Sequence, residues 1–268
     1  MRRGYSFDSV LVLAAALGLG CAGSKDGDSL SSVTQTPGLA IADVSNPANQ
    51  MRPGANVNVS VTKAQVITVD DFDETRNGKS RGTVYVKDYG SSAPYSGIGL
   101  FSPTFVPADL RVNAGDVLDL QGVYQENTNI GTARFPTGQV LPQLSKPISH
   151  FRFESPVPTA VKIKGPDLAT YDAGRAWIGS LVTVTNASVT SAFTSDPAGR
   201  VTGKIAADGT DGLIVSNELF DLKAGTFTVG TNFGTVTGVI TYFNSTSAPP
   251  GTTGLHIAPR SEADLVAK

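Results

Sequence analysis

Short runs in which apolar and polar residues alternate recur along this chain, and they limit its fold more than any other feature. The clearest lie between Asp116 and Tyr124 and between Gly234 and Tyr242. Alternation with a period of two is typical of strands that bury one face. No stretch has the spacing of a long amphipathic helix. The chain is therefore predicted to be all-β.

The same two runs indicate an internal repeat. Leu120-Gln121-Gly122-Val123 and Val236-Thr237-Gly238-Val239 share the order apolar, polar, glycine, valine, and other short strands precede each run in a similar order. A glycine inside a strand permits the tight bend or bulge that closes a small barrel. We predict two tandem barrels of the five-stranded OB type, over 54–153 and 154–268, with a β-sandwich as the main alternative. The Asp208-Gly209 pair predicts a hairpin turn.

The N-terminus has the order of a secretory signal. Arg2 and Arg3 precede an apolar run from Val10 to Leu19, and small Gly20 stands immediately before Cys21. The apolar run has roughly ten residues, whereas a membrane-spanning helix needs about twenty. We therefore predict that residues 1–20 are a targeting segment.

The residues Leu17 to Cys21 resemble the lipobox of bacterial lipoproteins, in which the cysteine sulfur receives a diacylglycerol and the chain is cut just before it. The resemblance implies lipidation of Cys21, which is the only cysteine of the chain. The alternatives are a plain signal peptide with a chance cysteine and an uncleaved anchor. Residues 21–53 are rich in Ser, Gly, Asp, Asn, Pro and Thr, and they predict a lipid-anchored flexible tether.

The net charge of the chain argues against some classes of binding partner. The net charge is −2 and the isoelectric point is about 5.7, so the basic stripe of a duplex-DNA-binding domain is not expected. The membrane is expected to be reached through lipid on Cys21, because the chain lacks a long basic block. The expected location is the bacterial cell envelope, and the alanine after Cys21 resembles the pattern for sorting to the outer membrane.

Three motifs of the first unit carry a further resemblance. Val84 to Asp88, Ser96 to Phe101 and Ala114 to Val123 look like the OB-fold domains of secreted bacterial proteins, including those that precede extracellular endonuclease domains. The second unit is similar to the companion domain of those proteins, with its end at Pro259 to Leu265. The nuclease domain itself is missing, so the resemblance implies the fold and no activity.

A ligand groove is expected where OB-folds generally bind, on the second and third strands. This places Tyr85, Lys87, Tyr89 and Phe101 near a possible groove, with aromatic rings on which bases or sugars can stack. Alternation predicts that Val84 and Val86 face the core and that Tyr85 and Lys87 face outward. Ordinary surface positions are the alternative for these four residues.

Candidate catalytic and metal residues are scarce. His150 and His256 have no histidine or cysteine at metal-ligand spacing, and no Gly-x-Ser-x-Gly elbow occurs. The acidic residues between Asp70 and Glu74 offer oxygen ligands for Ca²⁺, but basic residues follow directly, which favours a solvated hairpin loop. No catalytic residue, metal or cofactor is predicted. Arg260 is expected to pair with a local carboxylate or carbonyl and to fix the end of the chain.

These observations predict a non-enzymatic envelope lipoprotein that presents two OB-like barrels as a binding or scaffold module. Its expected partner is another envelope protein, an oligosaccharide or a single-stranded nucleic acid. The alternative is an accessory subunit of a secreted nuclease or other hydrolase. A weaker alternative is a hydrolase with a site in the interface between the domains.

Overall fold

The structure, a computed structural model, describes residues 38–74, 82–101, 110–248 and 252–268. The predicted signal peptide, Cys21 and the tether up to residue 37 lie outside the described residues. The strands of the first half are β1 (Val57–Val69), β2 (Val84–Asp88), β3 (Gly97–Leu100), β4 (Asp116–Asn127), β5 (Asn129–Ile130), β6 (Ala133–Arg134) and β7 (Leu141–Glu154). Those of the second half are β8 (Val161–Lys162), β9 (Leu181–Ser195), β10 (Val201–Ala207), β11 (Thr210–Ser216), β12 (Asn232–Tyr242), β13 (Leu255–Ala258) and β14 (Leu265–Ala267).

The first barrel closes in the strand order β1-β2-β3-β7-β4. All its neighbouring strands are antiparallel except β3 and β7, which run parallel. Val84 and Val86 are fully buried in its core, as their alternation predicts. The runs 57–61 and 66–69 form the single strand β1, which bends at Lys63, a residue with φ of 55°.

The second barrel repeats this order as β9-β10-β11-β13-β12, and pairing of β12 with β9 closes it. Here too the third and fifth strands, β11 and β13, are parallel. The predicted turn at Asp208 and Gly209 joins β10 to β11, and both residues have positive φ. The all-β class and the two OB-like barrels are confirmed.

The two glycines singled out in the sequence occupy the fourth strand of each barrel, where that strand meets the fifth. A Cβ on Gly122 would lie 3.0 Å from the carbonyl oxygen of Ser145, and the register between β4 and β7 shifts at this point. A Cβ on Gly238 would lie 2.7 Å from the carbonyl oxygen of Ala258 on β13. The neighbouring backbone is therefore too close for a side chain at Gly238, whereas at Gly122 a Cβ would be tight and would require a small shift of the neighbouring strand.

The segment 38–53 differs from the expected tether, because it lies on the first barrel. Its short helix α1 (Ile41–Ser45) buries Ile41 completely. The Asp88 carboxylate accepts hydrogen bonds from the backbone N–H groups of Ile41 and Ala42, at 2.6 and 3.1 Å. Residues 38–53 are therefore part of the folded first barrel and not of a tether, because Ile41 and Val44 belong to its core cluster.

The two barrels belong to one compact unit. Ile67 of β1 packs in the same buried cluster as Leu181 of β9 and Val239 of β12. Phe135, from the connection between β4 and β7, lies in the core of the second barrel, where its ring meets that of Tyr242 at 4.8 Å between centroids. The two halves therefore share core residues across the boundary expected at 153–154.

Candidate functional site

A cavity of about 600 Å³ lies between the two barrels. The first barrel contributes the end of β1 and parts of β2, β3, β4 and β7, and the second contributes the ends of β10, β11 and β12 together with β13. Its polar and aromatic lining includes Asp70, Glu74, Thr83, Tyr85, Phe101, Gln125, Asn127, Gln143, Arg200, Thr202, Ser216, Asn217, Glu218, Thr241, Tyr242, Phe243 and His256.

A buried asparagine fixes the wall that the second barrel supplies. Asn217 follows β11 directly, and its side-chain oxygen accepts a hydrogen bond of 2.9 Å from the backbone N–H of Val201. The backbone N–H of Asn217 donates in turn to the Val201 carbonyl at 3.0 Å. This double link holds the start of β10 beside the end of β11. It therefore places Arg200 and Glu218 at the same cavity.

Glu218 and His256 form an ion pair at the cavity wall. The Glu218 Oε1 atom lies 3.2 Å from Nδ1 of His256, which is on β13. Burial acts to raise the pKa of Glu218, but the hydrogen bond and the charge of His256 outweigh it and hold the pKa below its usual range. Glu218 is therefore an ionised carboxylate at neutral pH.

Arg200 and Glu74 form a second pair, with Nε and Oε1 3.5 Å apart. The Arg200 guanidinium also lies over the ring of Phe243, 5.7 Å from its centroid. Burial, and to a smaller degree the charge of Glu218, raise the pKa of Glu74, while Arg200 lowers it. The pair of Arg200 and Glu74 ties the loop after β1 to the second barrel, whereas Glu218 and His256 both belong to the second barrel.

Asp70 is the third carboxylate of the cavity and lies where β1 ends. Its Oδ1 atom is shielded from solvent and has no hydrogen-bond partner among the described residues. Burial, followed by the charges of Glu74 and Glu218, raises the pKa of Asp70 to about 8. Asp70 therefore differs from Glu218 in holding a proton at neutral pH.

Ser216, the last residue of β11, has a similar unsatisfied group. Only 2% of its surface is exposed, and its Oγ atom has no hydrogen-bond partner in the described part of the chain. A buried polar atom without a partner is uncommon because it loses its hydrogen bonds to water without replacement. Ser216 Oγ and Asp70 Oδ1 are both unsatisfied inside the cavity wall, where a water-sized molecule does not reach them.

Aromatic residues form much of the remaining wall. Tyr85 is partly buried against the cluster shared by the two barrels. Burial, then the charges of Glu218 and Asp70, raise the pKa of Tyr85 well above its usual value, so it stays a neutral hydroxyl. Tyr242 donates its hydroxyl hydrogen bond to Oε1 of Gln139, which comes from the first half of the chain.

The four residues expected to share a groove separate into two groups. Tyr85 and Phe101 line the cavity. Lys87 follows on the same face of β2, but it is only 7% exposed, so the prediction that it faces outward is wrong. It lies outside the cavity lining, and burial lowers its pKa. Tyr89 is 45% exposed and packs edge-on against Phe153, with 5.4 Å between ring centroids. The bend after β2 turns Tyr89 away from the space between the barrels.

The other candidates have structural roles where the structure describes them. Arg260 binds both carboxylate oxygens of Asp264 at 2.9 Å, as expected for a residue that fixes the end of the chain. His150 lies on β7 and is exposed, and Trp177 packs on the second core. Within 38–74, 82–101, 110–248 and 252–268, no three His, Cys, Asp or Glu side chains are placed to hold a metal ion.

Sequence patterns did not single out Glu218, Arg200 or Ser216 as site residues. Each is a single polar residue next to a strand end, a position that turn residues commonly occupy. Asp70 was noticed, but as part of a loop with Glu74. The sequence feature that could have identified these residues is their position next to strand ends, because barrels of this type bind ligands with the loops at their strand ends.

Comparison with protein-family models, with curated proteins and with solved structures found no match for this chain. In the described ranges, no helix has both the length and the apolar character needed to cross a membrane. The resemblance to the OB-fold domains of secreted nuclease-associated proteins therefore stays a prediction.

Proposed function

We propose that this protein is a binding module of the bacterial envelope and that its ligand occupies the cavity between the two barrels. The cavity is the observation that carries this proposal. Its volume of about 600 Å³ falls within the range of roughly 300 to 1,000 Å³ that is common for small-molecule sites. Both barrels contribute lining residues, so a ligand in the cavity would contact both of them.

The chemistry of the wall favours a small polar organic molecule. Aromatic rings alternate with carboxylates, amides and hydroxyls, a combination that binds an apolar body and orients polar groups. The two basic residues of the described lining, Arg200 and His256, are each paired with a carboxylate, which leaves neither free to bind a chain of phosphates. Single-stranded nucleic acid is therefore the least favoured of the expected ligands.

The anchoring part of the proposal rests on the N-terminal sequence, which lies outside the described residues. Cys21 receives the lipid, and the barrels are held at the membrane surface, most consistently with the outer membrane. No hydrogen bond joins Ser216 Oγ to His256, so these two residues do not form a nucleophile–base pair in this structure. The alternative function, an accessory subunit of a hydrolase, rests on the resemblance alone.

A cavity-filling substitution tests the binding site. Thr202 lines the cavity on β10, and its cross-strand partner Thr194 on β9 is exposed and lies outside the lining. We expect that compounds from a small-molecule panel raise the melting temperature of the full-length protein in detergent. Thr202→Trp should abolish those shifts because the indole fills the cavity.

Thr194→Trp is the matched control and should retain every shift, because its side chain is added outside the cavity. Two results would overturn the proposed function. One is a panel in which no compound stabilises the wild-type protein. The other is a Thr202→Trp protein that binds the same compounds with unchanged affinity.

A further inference from the structure

An exposed apolar surface lies on the first barrel, separate from the cavity. It is formed by Tyr89, which follows β2, and by Ile148, Phe151 and Phe153 of β7. The rings of Tyr89 and Phe153 meet edge-on, which joins the two parts of this apolar surface. Ile148 is 63% exposed and Phe151 is 52% exposed. Exposed apolar groups that lie together mark sites where a protein contacts a partner molecule or a membrane.

The topology of the first barrel explains why these side chains are exposed. β3 pairs with β7 at Gln143 and Leu144, near the start of β7. From Ile148 to Glu154, β4 is the neighbour that the described residues supply to β7. This half of β7 therefore extends beyond β3, and in the described part of the chain its apolar side chains have no second strand beside them.

The chain that leads to Cys21 meets the folded part next to this apolar surface. The carbonyl of Leu39, near the start of the described chain, accepts a hydrogen bond of 3.1 Å from the backbone N–H of Thr62. The carbonyl of the next residue, Lys63, accepts one of 2.9 Å from the backbone N–H of Tyr89. The first described residues and the apolar surface are therefore attached to neighbouring positions of β1.

The length of chain between Cys21 and the first barrel limits how far the apolar surface can be from the membrane. Residues 22–37 separate Cys21 from Gly38, the first described residue. A chain of this length spans at most about 60 Å. A lipid on Cys21 would give the first barrel an effective concentration at the bilayer on the order of millimolar. An equally weak affinity of the apolar surface for lipid is then enough for contact.

The charges around the apolar surface nearly cancel. Lys63 and Lys146 are exposed, as is the acidic Glu154 at the end of β7. Arg152 pairs with Asp119, with 2.7 Å between Nε and Oδ2. Purely electrostatic binding to anionic lipid takes clusters of at least about four basic residues, so contact with lipid must come from the apolar groups. Aromatic side chains suit the boundary between headgroups and acyl chains, where the ring is in an apolar layer and a tyrosine hydroxyl stays hydrated.

We infer that the apolar surface inserts into the lipid bilayer and holds the first barrel against the membrane, in addition to the lipid on Cys21. The inference rests on the anchoring part of the proposed function and adds a contact that the barrel itself makes. A second copy of the chain is the other way to cover such a surface. A lipid surface fits better because the segment that leads to Cys21 begins at neighbouring residues of β1.

Tryptophan fluorescence tests this contact. Phe151→Trp adds an indole to the apolar surface, and Trp177, which packs on the second core, is the reference in the same protein. The full-length lipidated protein is reconstituted into phosphatidylcholine vesicles with and without bromine on the acyl chains. The added indole should lose at least about half of its fluorescence to the brominated lipid, because interfacial groups lie about 5 to 10 Å deep. Val229→Trp, exposed on the second barrel, is the matched control and should be quenched no more than the wild type.

A second set of variants removes the apolar surface while the lipid anchor remains. Tyr89→Ser together with Ile148→Ser, added to Phe151→Trp, should abolish the quenching. Val229→Ser together with Val266→Ser is the matched pair of exposed positions on the second barrel and should leave the quenching unchanged. Because all four side chains are exposed, the melting temperature should stay close to that of Phe151→Trp, which shows that the variants are folded.

The outcomes separate this inference from the proposed function. An added indole that is not quenched, in a protein that carries palmitate, would overturn the inference and leave the anchor in place. If that protein is also a dimer in detergent, and Tyr89→Ser with Ile148→Ser makes it a monomer, a second copy covers the surface instead. Quenching that persists in this double variant would show that the chain from Cys21 alone brings the barrel to the lipid. A wild-type protein without palmitate would remove both the anchor and the inference, whereas ligand binding in the cavity is measured independently.

Discussion

Asp70 and Glu218 line one cavity, yet their pKa values shift in opposite directions. Burial acts on both carboxyl groups and favours the neutral form. Glu218 has a histidine partner 3.2 Å away, which overcomes the effect of burial, whereas among the described residues the charges that shift the pKa of Asp70 are those of Glu74 and Glu218. The opposite pKa shifts of these two carboxyl groups are therefore caused by the charged groups around them.

Cys21 carries the prediction that belongs to a single residue. The wild-type protein, expressed in a bacterium, should incorporate labelled palmitate and partition into the detergent phase. Cys21→Ala should lose both properties because the sulfur that accepts the lipid is gone. Ser24→Ala, three residues later, should remain labelled. A wild-type protein without label would contradict the lipoprotein prediction.

In each barrel the fourth and fifth strands come close together at a glycine, which has no side chain. The fourth strand must bend towards the fifth to close the sheet, and the close approach falls at Gly122 in β4 and Gly238 in β12.

The helix α1 depends on contacts with the first barrel. It has only five residues, and it is held by the Asp88 carboxylate and by burial of Ile41.

The close approach at β12 can be tested by adding one methyl group. Gly238→Ala should lower the free energy of unfolding by about 1 to 3 kcal/mol, because its Cβ would meet the backbone of Ala258 at 2.7 Å. Gly234→Ala is the control on the same strand, where the nearest atom is 3.6 Å away. Urea unfolding of the two variants measures the difference. Equal stability would show that β13 moves freely to accept the methyl group.

The two barrels depend on each other at the scale of the whole molecule. Phe135 and Gln139, from one connection of the first half, reach the core and the Tyr242 hydroxyl of the second. Arg175 reaches back to Glu126 of β4, with its Nη2 atom 2.6 Å from Oε1. The cavity lies between surfaces that these contacts hold together, so its shape depends on both barrels being folded.

Phe135→Ala tests this dependence. The side chain is 5% exposed, and its removal should cost about 3 to 5 kcal/mol in the second barrel although the residue belongs to the first half of the chain. Fluorescence of Trp177, the single tryptophan, reports the unfolding midpoint of the second half. Ile130→Ala, at an exposed position of the same connection, should leave that midpoint nearly unchanged. An unaltered midpoint in Phe135→Ala would contradict the shared core.

Local patterns were sufficient for part of the fold. The alternation of Val84 and Val86, the positive-φ turn at Asp208 and Gly209 and the pairing of Arg260 are all short-range features, and the structure has each of them. The sequence predicted a tether up to residue 53, whereas residues 38–53 lie on the first barrel. The sequence pattern does not report this, because Ile41 is buried beside Asp88 of β2, which is 47 residues away in the chain. The expected groove included Tyr89 because alternation alone does not report the turn that follows β2.

The sequence by itself determined the all-β class, the doubled barrel and the glycine in each fourth strand, because these follow from periodicity and from backbone sterics within a few residues. Only the tertiary structure decided where the cavity lies and which residues line it. Asp70, Arg200, Ser216 and Glu218 come from separate strand ends, and their protonation and pairing depend on burial and on charges from the other barrel. Such long-range electrostatic effects have no local sequence pattern.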